Sequence, residues 1–185
     1  RARMVSYVAG RRVLDLFSYV GAWGVQAAAL GAEHVLCVDS SQDALDKTAS
    51  NAQRNNVSSK VSTLKADVFD ALEQLRAENR SFDVVLCDPP AFIKRKKDLE
   101  QGKKAYLKLN RSALRLLAEG GIFVSSSCSF HLSADDLRGV LAKAARDTHG
   151  AMQLLERGGA GPDHPVHPAI PETEYLKCFF ARVLR

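Results

Sequence analysis

The residues best suited to chemistry lie in two short segments, each of which follows an apolar run. Asp88 begins Asp-Pro-Pro-Ala-Phe after residues 82–87, and Cys128 lies in Ser-Ser-Ser-Cys-Ser-Phe-His after residues 122–126. The two prolines restrict the backbone, so they hold the chain extended where it leaves the first run. A carboxylate held in this way can orient a planar polar substrate, and a thiol can act as a nucleophile.

Cys128 differs in its surroundings from Cys37, Cys87 and Cys178. Those three each lie inside an apolar run, which predicts buried thiols in a reducing compartment and favours the cytoplasm. Cys128 lies among hydroxyls just before a predicted helix, a position that favours a thiolate. A thiolate that adds to carbon 6 of a pyrimidine lets carbon 5 take a methyl group, and it leaves after a base removes the carbon 5 proton. The alternative is that Cys128 is an inert bystander, and we assign His131 to the helix start.

A second set of candidate residues follows the first three predicted strands, at the edge where open parallel sheets bind ligands. Residues 15–24 turn from strand to helix through glycine but lack the first glycine of a dinucleotide motif. Asp39 can accept both hydroxyls of a ribose, and Asp67 can accept an adenine amine. These features favour an adenosine cofactor without a pyrophosphate, such as S-adenosylmethionine; a nicotinamide dinucleotide or plain helix caps are the alternatives. We predict cofactor contacts at Asp15, Phe17, Ser18, Tyr19, Gly21, Asp39, Ser40, Asp67, Val68, Asp88 and Pro89.

Alternating strands and helices must position these residues. We predict strands at residues 12–17, 34–39, 60–66, 82–87, 122–126, 152–155 and 174–184. We predict helices at residues 21–30, 42–55, 68–78 and 104–118, and one that starts at Ser133 with Asp136 as its capping-box partner. Gly120 and Gly121 are expected to stop the fourth helix. This order predicts an α/β fold with a mostly parallel seven-stranded sheet, helices on both faces and an antiparallel edge strand.

The composition is typical of one globular domain, with 185 residues of which 46% are apolar and 25% charged. No stretch suits a membrane span and the cysteine spacing suits no zinc site, so we expect neither a membrane nor a metal partner. The net charge of +5 is concentrated in residues 94–115, where nine basic residues face two acidic ones. This segment favours RNA contact, and a solvated helix face is the alternative. We predict RNA contacts at Pro90, Phe92, Lys94, Arg95, Lys96, Lys97, Lys103 and Lys104.

Taken together, the motifs resemble one family. D-P-P-x-F resembles motif IV of class I methyltransferases that modify nucleic-acid bases. The further motifs that carry this resemblance are D-L-F-S-Y-x-G, V-D-x-S-x-x-A-L, D-V-F, S-C-S-x-H and the tail segments 162–165 and 171–177. Nearly the whole chain is similar to the methyltransferase domain of bacterial 23S rRNA (cytosine-5)-methyltransferases of large-subunit methyltransferase I type. The resemblance implies a Rossmann-like class I methyltransferase fold, S-adenosylmethionine as donor, 23S ribosomal RNA as substrate, Cys128 as nucleophile and Asp88 as the group that holds the cytosine.

The chain departs from other RNA cytosine-5 methyltransferases at one position. Those enzymes carry a second cysteine after the motif IV proline, whereas Ala91 and Phe92 follow here. Members of the resembled family also carry an N-terminal PUA domain and a small linking domain. We expect both to be absent from these 185 residues, which we assign to a single methyltransferase domain. Two further hypotheses stay open: methylation of a purine nitrogen in RNA with Cys128 idle, and a non-catalytic RNA-binding module.

Overall fold

The computed structural model describes residues 2–184, in which strands and helices alternate as the apolar pattern predicts. The strands are β1 (Arg12–Leu16), β2 (His34–Asp39), β3 (Val61–Lys65), β4 (Phe82–Cys87), β5 (Leu117–Ser127), β6 (Ala151–Gly158) and β7 (Lys177–Leu184). The helices are α1 (Val5–Val8), α2 (Gly24–Ala29), α3 (Gln42–Arg54), α4 (Val68–Ala77), α5 (Leu99–Leu114) and α6 (Ala134–Asp147). Short 3₁₀ turns lie at Ala2–Met4, Ser58–Lys60, Lys96–Asp98 and Pro171–Thr173.

The strands form one sheet with the order β3-β2-β1-β4-β5-β7-β6. The first five strands in this order are parallel, and β7 runs antiparallel to both β5 and β6. The predicted α/β architecture with an antiparallel edge is therefore confirmed. Because the strand order reverses between β1 and β4, a crevice opens at the carboxyl ends of these two strands, where such sheets bind ligands.

Helices cover both faces of the sheet, as the continuous apolar strands predict. Leu14 and Leu16 pack with α4, α5 and α6 on one face, while Val13 packs with α1, α2 and α3 on the other. All three side chains are fully buried. Cys37 and Cys87 are likewise buried, and burial raises the pKa of the Cys178 thiol to about 11, although that residue as a whole is partly exposed. Within residues 2–184, none of the helices combines the length and the apolar character that a bilayer crossing requires.

The predicted boundary between the fourth long helix and the fifth strand is wrong. Helix α5 starts at Leu99 and ends at Leu114, and β5 begins at Leu117. Gly120 and Gly121 therefore lie inside the strand and stop no helix. The register between β4 and β5 shifts between Phe82 and Val84, where the partner residues on β5 change from Leu117 to Ile122. Gly120, which lies between these two partners, has a φ of 67°, a conformation that favours glycine. Residues 117–118 therefore pair with the sheet, although the sequence pattern predicted that they would continue the helix.

The start of α2 also differs from the prediction, because the helix begins at Gly24 and not at residue 21. Gly21 has a φ of 78°, which is incompatible with a right-handed helix. Residues 17–23 instead form an irregular turn. By contrast, the capping box at the start of α6 is confirmed, since the Ser133 and Asp136 side chains each accept a hydrogen bond from the other residue's backbone.

Candidate active site

Asp15 stabilises the turn between β1 and α2. Its carboxylate is fully buried and accepts a hydrogen bond from the backbone N–H of Gly24, with a distance of 2.8 Å. Gly24 leaves no room for a side chain, because a Cβ atom there would lie 2.9 Å from Asp15 Oδ2 and closer still to Cys37 Sγ. Asp15 therefore positions the turn, and its predicted contact with a cofactor stays a prediction.

Two side chains of α3 hold the upper part of the same turn. Thr48 Oγ1 donates to the carbonyl of Tyr19 at 3.0 Å, and Asn51 Nδ2 donates to the carbonyl of Val20 at 2.9 Å. A Cβ atom on Gly21 would lie 2.8 Å from the Thr48 methyl group, so glycine is required for this close approach. The turn is therefore fixed by α3 and does not depend on its own residues alone.

A cavity of about 320 Å³ lies above this turn, a size in the usual range for small-molecule sites. The Asp39 carboxylate accepts backbone hydrogen bonds from Tyr19 at 2.8 Å and from Ser41 at 2.9 Å. Asp67 accepts a bond from Phe69 N–H and caps α4, as one alternative reading expected. The cavity is lined by Phe17, Tyr19, Asp39, Ser40, Asp67, Val68, Asp88 and Pro90.

The polar groups of this cavity fit a nucleoside. A carboxylate has about four lone-pair sites, so Asp39 and Asp67 can each accept hydroxyl or amine donors in addition to their backbone bonds. Ser18 is buried and its Oγ has no hydrogen-bond partner among residues 2–184. Such an orphaned hydroxyl near a ligand cavity is consistent with a polar ligand. Gly21 and Pro89 are buried, so any contact they make with a ligand must come from the backbone.

Asp88 lies at the end of β4, between this cavity and Cys128. The Trp23 indole N–H donates to Asp88 Oδ2 at a distance of 2.8 Å. Trp23 is only 8% exposed, so its ring is held in place by packing. A charge-assisted hydrogen bond from a fixed donor restricts the carboxylate to one orientation. Asp88 is therefore positioned by a residue that lies in the turn after β1.

Cys128 lies at the end of β5 and faces the segment that follows Asp88. Its thiol lies 3.9 Å from the carbonyl oxygen of Pro89, and its side chain is partly exposed. Burial and the nearby Asp88 carboxylate raise the pKa of the Cys128 thiol, while Lys177 acts in the opposite direction. The expectation that a helix N-terminus favours the thiolate is wrong, because α6 begins only at Ala134.

A buried hydroxyl network fixes the backbone on both sides of Cys128. The Tyr106 hydroxyl lies 2.9 Å from Ser127 Oγ and 3.0 Å from Ser129 Oγ. Ser129 Oγ also accepts a hydrogen bond from the backbone N–H of Ile93, at 3.2 Å. The segment that carries the thiol is thus tied to α5 and to the loop after Asp-Pro-Pro, which keeps the two candidate catalytic segments in fixed relation.

The basic segment borders a second cavity of about 600 Å³, which is lined by Phe92, Lys94, Arg95, Asp98, Gln101, Gly102 and Ala105. The Phe92 ring packs against Tyr106, with 4.8 Å between ring centroids. Among the basic residues predicted to contact RNA, Arg95 is one exception to the general lack of ion pairs within residues 2–184, since it pairs with Asp98 at 2.9 Å.

Lys103 is a second exception, since its Nζ lies 2.7 Å from Asp136 and 3.4 Å from Glu100. An RNA phosphate would have to compete with these carboxylates, so the pairing weakens the prediction of RNA contact at Lys103 and at Arg95. Within residues 2–184 the other predicted lysines form no ion pair and are exposed: Lys94, Lys96, Lys97 and Lys104.

Several residues of the site were missed by the sequence reasoning: Trp23, Thr48, Asn51, Tyr106 and Lys177. Most carry no local signal, because each acts on a partner far away along the chain. Lys177 is the exception, since it is a charged residue at the start of a mostly apolar strand; its Nζ donates to the Ser129 carbonyl at 2.6 Å. No group of three or more His, Cys, Asp or Glu side chains in residues 2–184 could hold a metal ion.

Comparison with known proteins links this geometry to methyltransferases. The chain is 41% identical over 180 residues to Ribosomal RNA large subunit methyltransferase I of Serratia proteamaculans, a match that covers 97% of this chain and 46% of that protein. The chain thus spans about half the length of the curated relatives it matches.

Solved structures share the fold. A Streptococcus mutans protein described as a SAM-dependent methyltransferase has a TM-score of 0.85 at 24% identity, over 97% of this chain and 46% of its own. A structure described as a methyltransferase complexed with SAH has a TM-score of 0.84 at 24% identity, over 97% of this chain and 47% of its own. These matches confirm the predicted class I methyltransferase fold.

A family model gives the broadest assignment. It matches residues 3–123, which include the turn after β1, Asp39, Asp67 and Asp88. Both the cofactor cavity and the Asp-Pro-Pro segment therefore fall within the matched part. Since this match extends over more than half of the sequence, the chain belongs to the family described as Conserved hypothetical protein 95.

Proposed function

We propose that this chain transfers a methyl group from S-adenosylmethionine to carbon 5 of a cytosine in 23S ribosomal RNA. The observation that carries the proposal is the position of the Cys128 thiol, 3.9 Å from the carbonyl of Pro89 and near enough to the Asp88 carboxylate for that charge to raise the pKa of the thiol. A nucleophile, a fixed carboxylate and a nucleoside-sized cavity meet at one edge of the sheet. The name of the Serratia relative supports the choice of large-subunit ribosomal RNA.

S-adenosylmethionine fits the cavity through the residues already described. The carboxylate of Asp39 would accept the ribose hydroxyls, and Asp67 would accept the adenine amine. Tyr19, which is 65% exposed, lies beside them and offers an aromatic face. When bound, this cofactor would supply an electrophilic methyl group, and the chain's own residues would prepare the base that receives it.

Cys128 and Asp88 would perform the chemistry on the cytosine. The Cys128 sulfur would form a bond to carbon 6, which makes carbon 5 nucleophilic enough to take the methyl group. A base would then remove the carbon 5 proton, and the carbon–sulfur bond would break to regenerate the thiolate. Asp88, oriented by Trp23, would hold the polar edge of the ring throughout. The target base must be unpaired or flipped out to reach the thiol.

The four exposed lysines of the basic segment would bind phosphates on either side of the target base. Their contribution would appear as salt-dependent binding, since each neutralised phosphate releases counterions. We also propose a cytoplasmic location, with which a ribosomal RNA substrate agrees. The four free cysteines agree with it as well, because thiols stay reduced in that compartment.

A second candidate is methylation of a purine nitrogen in RNA. The raised pKa of the Cys128 thiol favours this alternative, because a neutral thiol is a poor nucleophile. In this case Asp88 and Pro89 would orient the nitrogen and Cys128 would take no part.

Transfer of labelled methyl groups to unmodified ribosomal RNA tests both candidates. After incubation with labelled S-adenosylmethionine, the RNA is digested and the labelled nucleoside is identified. We expect 5-methylcytidine. Detection of a labelled methylpurine would refute cytosine as the target base, but it would not contradict the assignment of the fold. Because the chain spans about half the length of its relatives, the assay should also be run on a full-length relative.

Two variants complete the test. Cys128→Ala should abolish 5-methylcytidine formation, because it removes the proposed nucleophile, and it should spare a purine activity. Cys178→Ala is the matched control, because it removes a neighbouring thiol whose pKa burial raises to about 11. A Cys128→Ala variant that still forms 5-methylcytidine would rule out the covalent mechanism.

A further inference from the structure

Lys177 is a buried cation next to the candidate nucleophile. It is the first residue of β7 and pairs with Ser127 of β5. Its side chain is 7% exposed, and its Nζ donates to the carbonyl of Ser129 at 2.6 Å. The ammonium group is therefore held by the residue immediately after Cys128, and the backbone of Lys177 pairs with the residue immediately before it.

This lysine has no acidic partner. Within residues 2–184 no carboxylate lies within 4 Å of its Nζ, although eight other ion pairs occur. Burial of an unpaired ammonium is costly, so such groups are usually paired with an anion. Burial lowers the pKa of Lys177, and the proximity of Cys128 acts in the opposite direction.

We propose that Lys177 is a positioning residue whose ammonium group is the fixed counter-charge of the Cys128 thiolate. This inference rests on the proposed covalent mechanism and adds to it the group that stabilises the Cys128 thiolate. The other charged or titratable groups around Cys128 are Asp88, which opposes the thiolate, and Tyr106, whose hydroxyl bonds the flanking serines.

The proton balance of the step is simple. The S–H bond of Cys128 breaks, its proton passes to solvent at the exposed side of the thiol, and the electron pair stays on sulfur. Lys177 keeps its own proton throughout. The same electron pair then forms the bond to carbon 6 of the cytosine and returns to sulfur when the adduct is released.

Alkylation of Cys128 by iodoacetamide measures this effect without cofactor or RNA. The rate is followed across pH, and the modified Cys128 peptide is quantified by mass spectrometry. Lys177→Met should move the midpoint of the profile to higher pH and slow alkylation at neutral pH by roughly tenfold or more, because a full charge near the sulfur is removed. Lys177→Arg, which keeps the charge, should restore most of the wild-type rate.

Controls separate charge from folding. Lys47→Met makes the same substitution at an exposed lysine of α3 and should leave the profile unchanged. Lys177→Met should melt no lower than the wild type, because it removes a buried unpaired charge. If the methionine variant does not fold, Lys177→Gln provides the same readout with a polar side chain.

Two results would overturn the inference. An unshifted midpoint in both neutral variants would show that the thiol does not sense Lys177. Equal slowing by Lys177→Arg and Lys177→Met would show that side-chain shape, and not charge, is responsible. If the variants shift the midpoint as expected but neither this chain nor a full-length relative methylates cytosine, the proposed function fails while the pairing of Lys177 with Cys128 stands.

Discussion

Gly24 offers a sharp test of how the turn below the candidate cofactor cavity is built. Gly24→Ala adds one methyl group at the start of α2, where the helix packs on β1 and β2. The added Cβ would lie 2.9 Å from Asp15 Oδ2, 3.1 Å from Val35 Cγ1 and closer still to Cys37 Sγ. Asp15, Val35 and Cys37 are all fully buried on strands, so none of them can move away cheaply.

The expected cost follows from two effects. Overpacking of a close-packed interior typically costs about 1–3 kcal/mol. If the helix shifts to relieve the contact, the hydrogen bond from Gly24 N–H to the buried Asp15 carboxylate is lost, at about 1.5–3 kcal/mol. The gain in helix propensity from alanine is at most about 1 kcal/mol. We therefore expect a net loss of about 2–5 kcal/mol in the free energy of unfolding.

Urea unfolding of Gly24→Ala and Gly139→Ala provides a matched pair. Gly139 lies on the exposed side of α6, and a Cβ there would meet no atom within 4 Å. Its replacement should stabilise the protein by up to about 1 kcal/mol, so the two variants should move in opposite directions. Affinity for S-adenosylmethionine should also fall in Gly24→Ala. A Gly24→Ala variant as stable as the wild type would refute the inferred close approach.

Two further predictions concern Asp88 and the acid stability of the fold. Trp23→Phe removes the donor to Asp88, so kcat/KM for methyl transfer should fall roughly tenfold or more while the thermal melt shows a retained fold; unchanged kinetics would contradict the role of the indole. The hydrogen bond from Lys103, followed by that from Ser133, lowers the pKa of Asp136. The stabilisation is therefore present above the unfolded-state pKa of about 4 and is lost as pH falls through the folded-state value. Asp136→Asn should be less stable than the wild type at neutral pH, and acid titration of unfolding should show this difference shrinking towards about pH 2.

The fold was predictable because its central strands β1, β2 and β4 are continuous apolar runs and the candidate ligand-facing residues directly follow the parallel strands. Asp39 and Asp67 illustrate this, since the end of a parallel strand points to the same edge wherever the strand lies in the sequence. The segment around Gly120 was mispredicted for the opposite reason. Its local pattern continues a helix, and only pairing with β4, which lies far back in the chain, makes it a strand.

The supporting residues of the site were not predictable in the same way. Trp23 and Asp88 are separated by 65 positions, and Lys177 and Ser129 by 48. Each pair meets only because strand order brings two ends together, and no spacing rule within one segment encodes this. The chemistry-bearing residues could be named from the sequence, whereas the groups that orient them required the structure.

The antiparallel strand β7 has a consequence for chemistry. Parallel strands bring their carboxyl ends to the ligand edge, so a parallel strand beside β5 would place its first residue at the far side of the sheet. Because β7 runs in the opposite direction, its first residue, Lys177, lies opposite Ser127 at the end of β5. The single reversal in the sheet thus brings an amino-terminal strand residue, and the loop that precedes it, to the edge that carries Cys128. A cation beside the thiol is a direct product of this topology.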